Sequence, residues 1–425
     1  MSALTSGPTR RSFLTAAGAA GLLLAATGTS AADRRAAVSG REAARPPAGL
    51  AGGGVRLTLP RPTGPHRIAT TSLHLIDPSR QDPWTAPPSP RELMISVWYP
   101  TRNSARNRPA PWLPSEALAL YRQQTARSLQ TSLNDVAFPT THARQNSPVK
   151  GRRRSHPVLL FSPAYRAMRE FGTSLVEDLA SHGYVVVTIG HTYEAQIIEF
   201  PGRRLELSRQ PANPTDDDYA LALQVRQADT RFVLDALSTL STKGHLGAYG
   251  RRSPSGLKGS LDLSRVGMFG HSLGGATAAE TMAQDPRILA GVNLDGSVIG
   301  PVAETGLDRP FLLMASAGHG RDNDPSWGQF WSHLRGWHRH LLLHNSGHQA
   351  YTDLAPLAQQ LIKKLPLPAQ VVAALTNDIG TINADRAISA QRAYLNAFFD
   401  LHLRHRDGHL FSKPSSRYPE IEFVP

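Results

Sequence analysis

Cysteine is absent from all 425 residues of the chain. This absence excludes disulfide bonds, thiol catalysis and the attachment of lipid to an N-terminal cysteine. Lysine is scarce as well, with six residues, so arginine supplies most of the formal net charge of +13. A charge of this size suits either a solvated basic surface or peripheral contact with anionic lipid. No zinc-ligand cysteine, helix-turn-helix signal or aromatic RNA-binding motif accompanies it, so we predict no nucleic-acid partner.

Beyond the N-terminus, the sequence lacks any uninterrupted apolar run of about 18 residues, the length that would suggest a membrane-spanning helix. At the N-terminus, the paired Arg10 and Arg11 precede a short stretch of apolar and small residues. This pattern resembles a twin-arginine export signal, although an ordinary secretory signal or a short membrane anchor has similar features. We therefore predict a secreted protein.

The domain organisation follows from this N-terminal pattern and from a change in composition near residue 56. Small residues predict cleavage after Ala31 or Ala32, which makes residues 1–32 the signal peptide. Residues 33–55 are rich in Ala, Gly, Arg and Pro without periodicity, as is typical of a flexible leader. We expect residues 56–425 to form one domain with loop or cap insertions.

Strand and helix signals alternate through this domain. Two β-rich segments with alternating polarity, at residues 68–76 and 93–99, predict antiparallel strands. Later strands and helices follow one another in turn, which predicts an α/β fold with a mostly parallel central sheet flanked by helices. The later predicted strands are 158–162, 184–190, 265–269, 288–294, 310–315 and 340–344. The predicted helices are 115–132, 170–181, 217–240, 274–282 and 387–404.

The candidate nucleophile is Ser272. Residues 270–274 read Gly-His-Ser-Leu-Gly, which matches the G-x-S-x-G nucleophile elbow, and they stand between a predicted strand and a predicted helix. The glycines on either side avoid steric clashes in the strained turn that lifts the serine above the sheet. A strand-to-helix turn without chemistry is the alternative. The surrounding strand–helix alternation favours the α/β-hydrolase fold with Ser272 as its nucleophile.

The candidate base is His348, which follows the predicted strand 340–344. In this fold the partners of the serine come in the order acid, then histidine. An imidazole titrates near neutral pH, so it can accept the serine proton and return it to the leaving group. His344 is the nearest rival, but it ends the strand, where packing would fix its side chain.

Three aspartates are candidates for the acid that orients this imidazole. Asp295 follows the predicted strand 288–294 directly, on a tight Asp-Gly turn. Asp322 and Asp324 lie in a polar loop after the next predicted strand, where solvated carboxylates are the usual case. A triad acid must be buried beneath the imidazole. The tight turn favours Asp295, but the residues alone leave the other two open.

Several motifs in this order resemble the secreted, plasma-type platelet-activating factor acetylhydrolases and their bacterial relatives. The resemblance extends over most of the mature chain. It rests on residues 157–162, 178–184, 270–277, 294–295 and 347–349.

This resemblance implies a site and a substrate class. It implies that Asp295 is the acid, and that the amides of Leu273 and Tyr165 form the oxyanion hole. The chain departs from the family just before Tyr165, where Pro163 and Ala164 replace the usual His-Gly. The implied substrates are short-acyl carboxylic esters, such as the sn-2 acetyl ester of a phospholipid.

We therefore expect a serine esterase that works through an acyl-enzyme and needs no cofactor or metal. The expected partner is a small-molecule or lipid ester. An acyltransferase, or a general lipase or polyester hydrolase, would use the same triad. A catalytically silent binding protein on this fold is the alternative from another class, and a fluorophosphonate would not label it.

The segment after the candidate histidine, residues 354–365, places leucines at helical spacing. Its position in the sequence predicts that it lies near the mouth of the site. Two interpretations stay open. The stripe packs on the core, or part of it remains exposed and rests on anionic lipid together with Lys363 and Lys364.

Overall fold

The computed structural model describes residues 54–102, 107–244 and 253–425. The predicted signal peptide and nearly all of the predicted leader lie outside the described residues. The leader was expected to extend through residue 55, but Val55 already pairs with Val136 in a short parallel ladder. This ladder joins strand β1 (Val55–Arg56) to strand β5 (Val136–Ala137).

An eleven-stranded sheet forms the centre of the described structure. Its strands are β2 (Ile68–Gln81), β3 (Pro90–Pro100), β4 (Pro109–Pro111), β6 (Thr140–Gln145), β7 (His156–Ser162), β8 (Val185–Gly190), β11 (Leu261–His271), β12 (Ile288–Leu294), β13 (Phe311–Ser316), β14 (His338–Leu343) and β15 (Ile421–Val424). They lie in the order β15-β14-β13-β12-β11-β7-β8-β3-β2-β6-β4. From β14 to β8 all neighbours are parallel, whereas β2 and β3 form an antiparallel pair beside them. The predicted sheet is confirmed.

The parallel strands are apolar because helices cover both of their faces. Every residue of β7 and of β8 is buried, which explains their unbroken apolar runs. Because these strands are parallel, their carboxyl ends meet at one edge of the sheet, the usual place for a site in α/β proteins. The loops after β7, β11, β12 and β14 carry the candidate site residues.

The helices divide between the two faces and a separate layer. They are α1 (Ser115–Ser128), α2 (Thr173–Ser181), α3 (Asp216–Lys243), α4 (Leu273–Gln284), α5 (Val302–Thr305), α6 (Pro325–His333), α7 (Leu354–Lys364), α8 (Ala369–Ile379) and α9 (Ala384–Arg404). Helices α2 and α9 pack on one face, and α3, α4 and α6 pack on the other. Helices α1, α7 and α8 share a third apolar cluster. Among the described helices, none has the length and apolarity that crossing a membrane requires.

Some elements escaped the sequence analysis. The strand predicted at 340–344 is β14, but it is not the last, because β15 returns after the closing helix and pairs antiparallel with it. Four residues are too few to give a clear alternating pattern. The polar segment before residue 155 contains β4 and β6, and a hairpin of β9 (Ile197–Phe200) and β10 (Arg204–Leu207) precedes α3.

The leucine stripe of α7 belongs to the core. Leu354, Leu357 and Leu361 are 1%, 2% and 1% exposed, in the cluster shared with α1 and α8. The Nζ atom of Lys364 donates to the carbonyl oxygen of Arg56 at 2.7 Å. These three leucines are therefore core residues, whereas Ile362 and Leu365 of the same stripe are only partly buried. Contact of that part with anionic lipid stays a prediction. The helical period was read correctly, but a second apolar layer covers most of the stripe.

Candidate active site

Ser272 lies on a sharp turn between β11, which ends at His271, and α4, which begins at Leu273. Its φ of 56° and ψ of −125° form a backbone conformation that residues other than glycine rarely adopt. Its amide donates to the carbonyl oxygen of Leu294 at 2.9 Å, which fixes the turn against β12. The serine is partly exposed. The turn has the form of a nucleophile elbow.

The glycines on either side of the serine are required by close backbone contacts. A Cβ atom on Gly270 would lie 2.2 Å from the carbonyl carbon of Gly274. A Cβ atom on Gly274 would lie 1.9 Å from the carbonyl oxygen of Ser162. Any side chain at either position would displace the turn. Because Ser162 ends β7, the second contact also shows that the loop after β7 packs directly against the elbow.

The structure brings Asp295 and His348 together beside this elbow. Asp295 follows β12 and is buried, and its Oδ2 atom lies 2.7 Å from His348 Nδ1. His348 begins a short 3₁₀ helix after β14, and its side chain is 29% exposed. The Nε2 atom of His271, in the elbow, donates to the carbonyl oxygen of His348 at 2.9 Å. A carboxylate and an imidazole in contact thus lie beside the elbow that carries Ser272.

The environment of Asp295 favours its charged form. Burial by itself would raise the pKa of this carboxyl, but hydrogen bonds from His319 and His348 hold it well below its usual range. The amide and the hydroxyl of Ser316 also donate to it, at 2.6 and 2.7 Å. Asp295 is therefore a fixed anion that can orient the imidazole of His348 and stabilise its protonated state.

The rival residues have other surroundings. Asp324 caps α6 by accepting from the amide of Ser326 at 2.9 Å, and it contacts His319 rather than His348. Asp322 is exposed in the same loop. His344 lies at the end of β14 and pairs with Glu422 at 2.9 Å, with 45% of its side chain exposed.

The two expected oxyanion amides belong to segments that adjoin the elbow. Leu273 is the first residue of α4, where amides have no acceptor inside the helix. Tyr165 lies in the loop after β7, which packs against Gly274. The phenol of Tyr165 donates to Gln210 Oε1 at 3.1 Å.

A buried arginine on α3 holds the loop after β7. Arg226 Nη1 donates to the carbonyl oxygen of Pro163 at 2.6 Å, and Nη2 donates to that of Ala164 at 3.0 Å. Nη1 also donates to Ser162 Oγ at 3.0 Å. Glu194 balances the charge of this guanidinium as a buried ion pair. Hydrogen bonds from Arg226 to the carbonyl groups of Pro163 and Ala164 thus fix the segment that departs from the family pattern.

A second array of serine, histidine and aspartate lies beneath this loop. Ser162 Oγ is 3.0 Å from His191 Nε2, and His191 Nδ1 is 2.9 Å from Asp229 Oδ2. Ser162, His191 and Asp229 are 0%, 1% and 0% exposed. Burial, with the charge of Arg226, lowers the pKa of His191. Because no substrate reaches a serine without exposed surface, we interpret this array as a structural network.

An aromatic cluster adjoins both the elbow and the loop after β7. Leu273 is packed with Tyr219 of α3, and Trp84, Tyr165 and Ile299 lie partly exposed around them. The rings of Tyr165 and Tyr219 are 4.8 Å apart between centres. The cluster therefore offers apolar and aromatic surface directly beside Ser272.

The sequence analysis missed two histidines of this site. His271 fills the variable position of the elbow motif, and its ring lies 4.4 Å from that of His348. Burial, together with the charge of His348, lowers the pKa of His271 to about 3. His319, in the loop after β13, contacts the far oxygen of Asp295 at 2.8 Å. Its only signal was a position after a strand, which many of the chain's 17 histidines share.

From the sequence we predict a reaction that needs no metal ion. Over residues 54–102, 107–244 and 253–425, no three side chains of the His, Cys, Asp or Glu type are grouped to hold a metal ion. The carboxylates at this edge of the sheet are instead occupied by histidines and serines.

The fold and the elbow define an α/β hydrolase. The chain is similar to a ferulic acid esterase from Streptomyces cinnamoneus of known structure, with a TM-score of 0.70 and 34% sequence identity. The similarity covers 87% of this chain and 99% of that esterase. The fold class predicted from the sequence is confirmed.

The family is shown by comparison of sequences. The family model described as "Platelet-activating factor acetylhydrolase, isoform II" matches residues 56–403, and the chain belongs to this family. A probable 1-alkyl-2-acetylglycerophosphocholine esterase of Arthroderma benhamiae is 28% identical over 397 residues, 86% of this chain and 93% of the relative. A platelet-activating factor acetylhydrolase of Cavia porcellus is 26% identical over 258 residues, 56% of this chain and 55% of the relative. The chain is a carboxylic-ester hydrolase, as predicted.

Proposed function

We propose that the chain is an exported serine esterase that cleaves short-acyl esters, including the sn-2 acetyl ester of a phospholipid. The catalytic part of this proposal rests on the hydrogen bond of 2.7 Å between Asp295 and His348, which lies beside the strained turn at Ser272. The names of the relatives from Arthroderma benhamiae and Cavia porcellus support the substrate class. The twin arginines at the N-terminus support export.

The proposed reaction has two halves. Ser272 Oγ attacks the ester carbonyl carbon while His348 Nε2 accepts the hydroxyl proton, and the carbonyl oxygen becomes an anion. As the carbon–oxygen bond to the alcohol breaks, His348 gives that proton to the leaving alkoxide, and an acyl-serine remains. A water then attacks the acyl carbon, loses a proton to His348 and releases the acid, and the proton returns to Ser272. Asp295 stays ionised throughout and holds His348 in the required tautomer.

The oxyanion would be bound by the amides of Leu273 and Tyr165. The first amide is unsatisfied within α4, and the positive end of that helix points toward the same place. The second amide follows two carbonyl groups that Arg226 holds from behind. Amides fixed before the reaction stabilise the developing charge without having to reorganise.

We expect Arg226→Lys to lower kcat by about ten- to a hundredfold with little change in KM. Lysine keeps a charge for Glu194 but lacks the planar fork of arginine, so it cannot hold Glu194 and both carbonyl groups in the same fixed geometry. Steady-state kinetics on p-nitrophenyl acetate would measure this. Arg231→Lys, an exposed position on the same helix, is the control and should leave kcat unchanged. A rise in KM with unchanged kcat would show that Arg226 does not support the oxyanion loop.

A second candidate substrate class is esters of aromatic acids. The cluster of Trp84, Tyr165 and Tyr219 beside Leu273 favours it, because aromatic rings bind other rings in offset or edge-to-face geometry. The similarity to a ferulic acid esterase supports the same class.

A panel of esters would separate the two classes. We expect Tyr219→Leu to lower kcat/KM for methyl ferulate by about tenfold, the loss of one aromatic contact, while p-nitrophenyl acetate is spared. Leu221→Ala, at an exposed position of the same helix, should change neither substrate. Equal losses on both esters would remove the aromatic candidate. A wild-type preference for a short sn-2 acyl phospholipid over methyl ferulate would favour the leading proposal.

A further inference from the structure

His319 lies between two carboxylates behind the candidate triad. Its Nδ1 atom is 2.8 Å from Asp295 Oδ1, and its Nε2 atom is 2.9 Å from Asp324 Oδ2. Asp295 uses its other oxygen for His348, so the two histidines share one carboxylate. The order Asp324, His319, Asp295, His348 forms a single line of contacts that leads toward Ser272.

The geometry requires a charged imidazole at His319. A neutral imidazole carries one N–H, and its second nitrogen presents a lone pair. An ionised carboxylate only accepts hydrogen bonds, so a lone pair facing one would be repelled. Both ring nitrogens of His319 face carboxylate oxygens, and both must therefore be donors. In agreement, the pKa of His319 rises to about 9, because the hydrogen bonds and charges of Asp295 and Asp324 outweigh the effect of burial.

The other groups that face this imidazole do not supply a competing charge in contact with it. The indole of Trp327, on α6, lies 4.7 Å from it between ring centres. His340 of β14 is uncharged near neutral pH, since burial and the charges of Arg321 and His319 lower its pKa to about 4. Arg321 turns its Nε atom toward His340 Nδ1 at 3.2 Å.

We propose that His319 is a positioning residue, held as an imidazolium, that fixes Asp295 and limits how strongly Asp295 attracts the proton of His348. The proposal rests on the proposed role of Asp295 and His348 in ester hydrolysis. Without a cation on its other side, the Asp295 carboxylate would stabilise the imidazolium of His348 so strongly that proton transfer to the leaving group would be slower. His319 neutralises part of that charge, so His348 returns its proton to the leaving group more readily and is free as a base at lower pH.

The test is the pH profile of kcat/KM for p-nitrophenyl acetate in wild type and in His319→Gln. Glutamine keeps a donor for one carboxylate but brings no charge. In a serine esterase activity is lost at low pH when the catalytic base is protonated, and removing a positive charge beside Asp295 favours that protonated form. The acidic limb should therefore move to higher pH by about one unit, the lower end of the effect of a nearby charge. His344→Gln, which removes an exposed histidine paired with Glu422, should leave the limb in place.

A second measurement does not depend on the variant. Nitrogen-15 spectra of histidine-labelled wild type should contain one imidazole with both ring nitrogens protonated from pH 6 to about pH 9, identified by its contact with the ring of Trp327. An unmoved or lowered acidic limb in a folded His319→Gln, or a neutral His319 at pH 7, would overturn the proposal. If Ser272→Ala or Asp295→Asn kept full activity instead, the proposed function itself would fail, and the two failures are thus distinguishable.

Discussion

Ser272→Ala should abolish ester hydrolysis, with kcat lowered by about a millionfold, while the protein stays folded. Ser272 combines the strained turn and partial exposure with a neighbour in the elbow, His271, that contacts His348. Removing the Oγ atom removes the attacking group, so no acyl-enzyme can form. Hydrolysis of p-nitrophenyl acetate by purified protein, beside a thermal melt, would measure the effect.

Labelling with a fluorophosphonate gives an independent test of the same serine. Wild type should be labelled at Ser272, and Ser332→Ala, at an exposed position of α6, should be labelled equally. Ser272→Ala should not react. Residual turnover above the uncatalysed rate, or a label on Ser162, would mean that the buried array of Ser162, His191 and Asp229 has a catalytic role after all. A wild type that takes no label at Ser272 would contradict the assignment of this serine as the nucleophile.

The parts of the site that the sequence predicts are those encoded locally. The elbow is five consecutive residues with a required backbone shape, so Ser272 and its glycines can be identified without knowing the fold. His348 needs one further step, the order of strands. Asp295 needed the family resemblance, because the tight turn favours it but a carboxylate after a strand leaves Asp322 and Asp324 open until its partners are known.

The parts that the sequence could not predict depend on contacts between distant segments. His319 is charged because carboxylates from the ends of two different elements meet around it. Arg226 stands within the long helix α3, where an arginine usually faces solvent. The burial of its guanidinium becomes visible only when Glu194 and the loop after β7 are placed beside it. The stripe of α7 also depends on distant segments, since periodicity shows which side chains share a face but not what covers that face.

Asp295→Asn should lower kcat by about ten-thousandfold, the cost of the same change in a related triad. An asparagine that turns its amide toward His348 presents a donor where the imidazole donates, and it therefore favours the wrong tautomer. Its other orientation directs the amide at donors from Ser316 and His319, so neither orientation satisfies the site. KM should change little, because the acid does not touch the substrate in the proposed reaction.

Asp322→Asn is the matched control for Asp295→Asn, because it makes the same chemical change at an exposed position of the neighbouring loop. We expect it to keep nearly full kcat. Asp324→Asn should fall between the two, since asparagine still caps α6 but no longer offers His319 a charged partner. Single-turnover kinetics on p-nitrophenyl acetate would show whether acylation is the slowed step, as expected when His348 cannot accept the serine proton. If Asp322→Asn or Asp324→Asn were the more damaging change, the acid would lie after β13, and His348 would have to move away from Asp295 during catalysis.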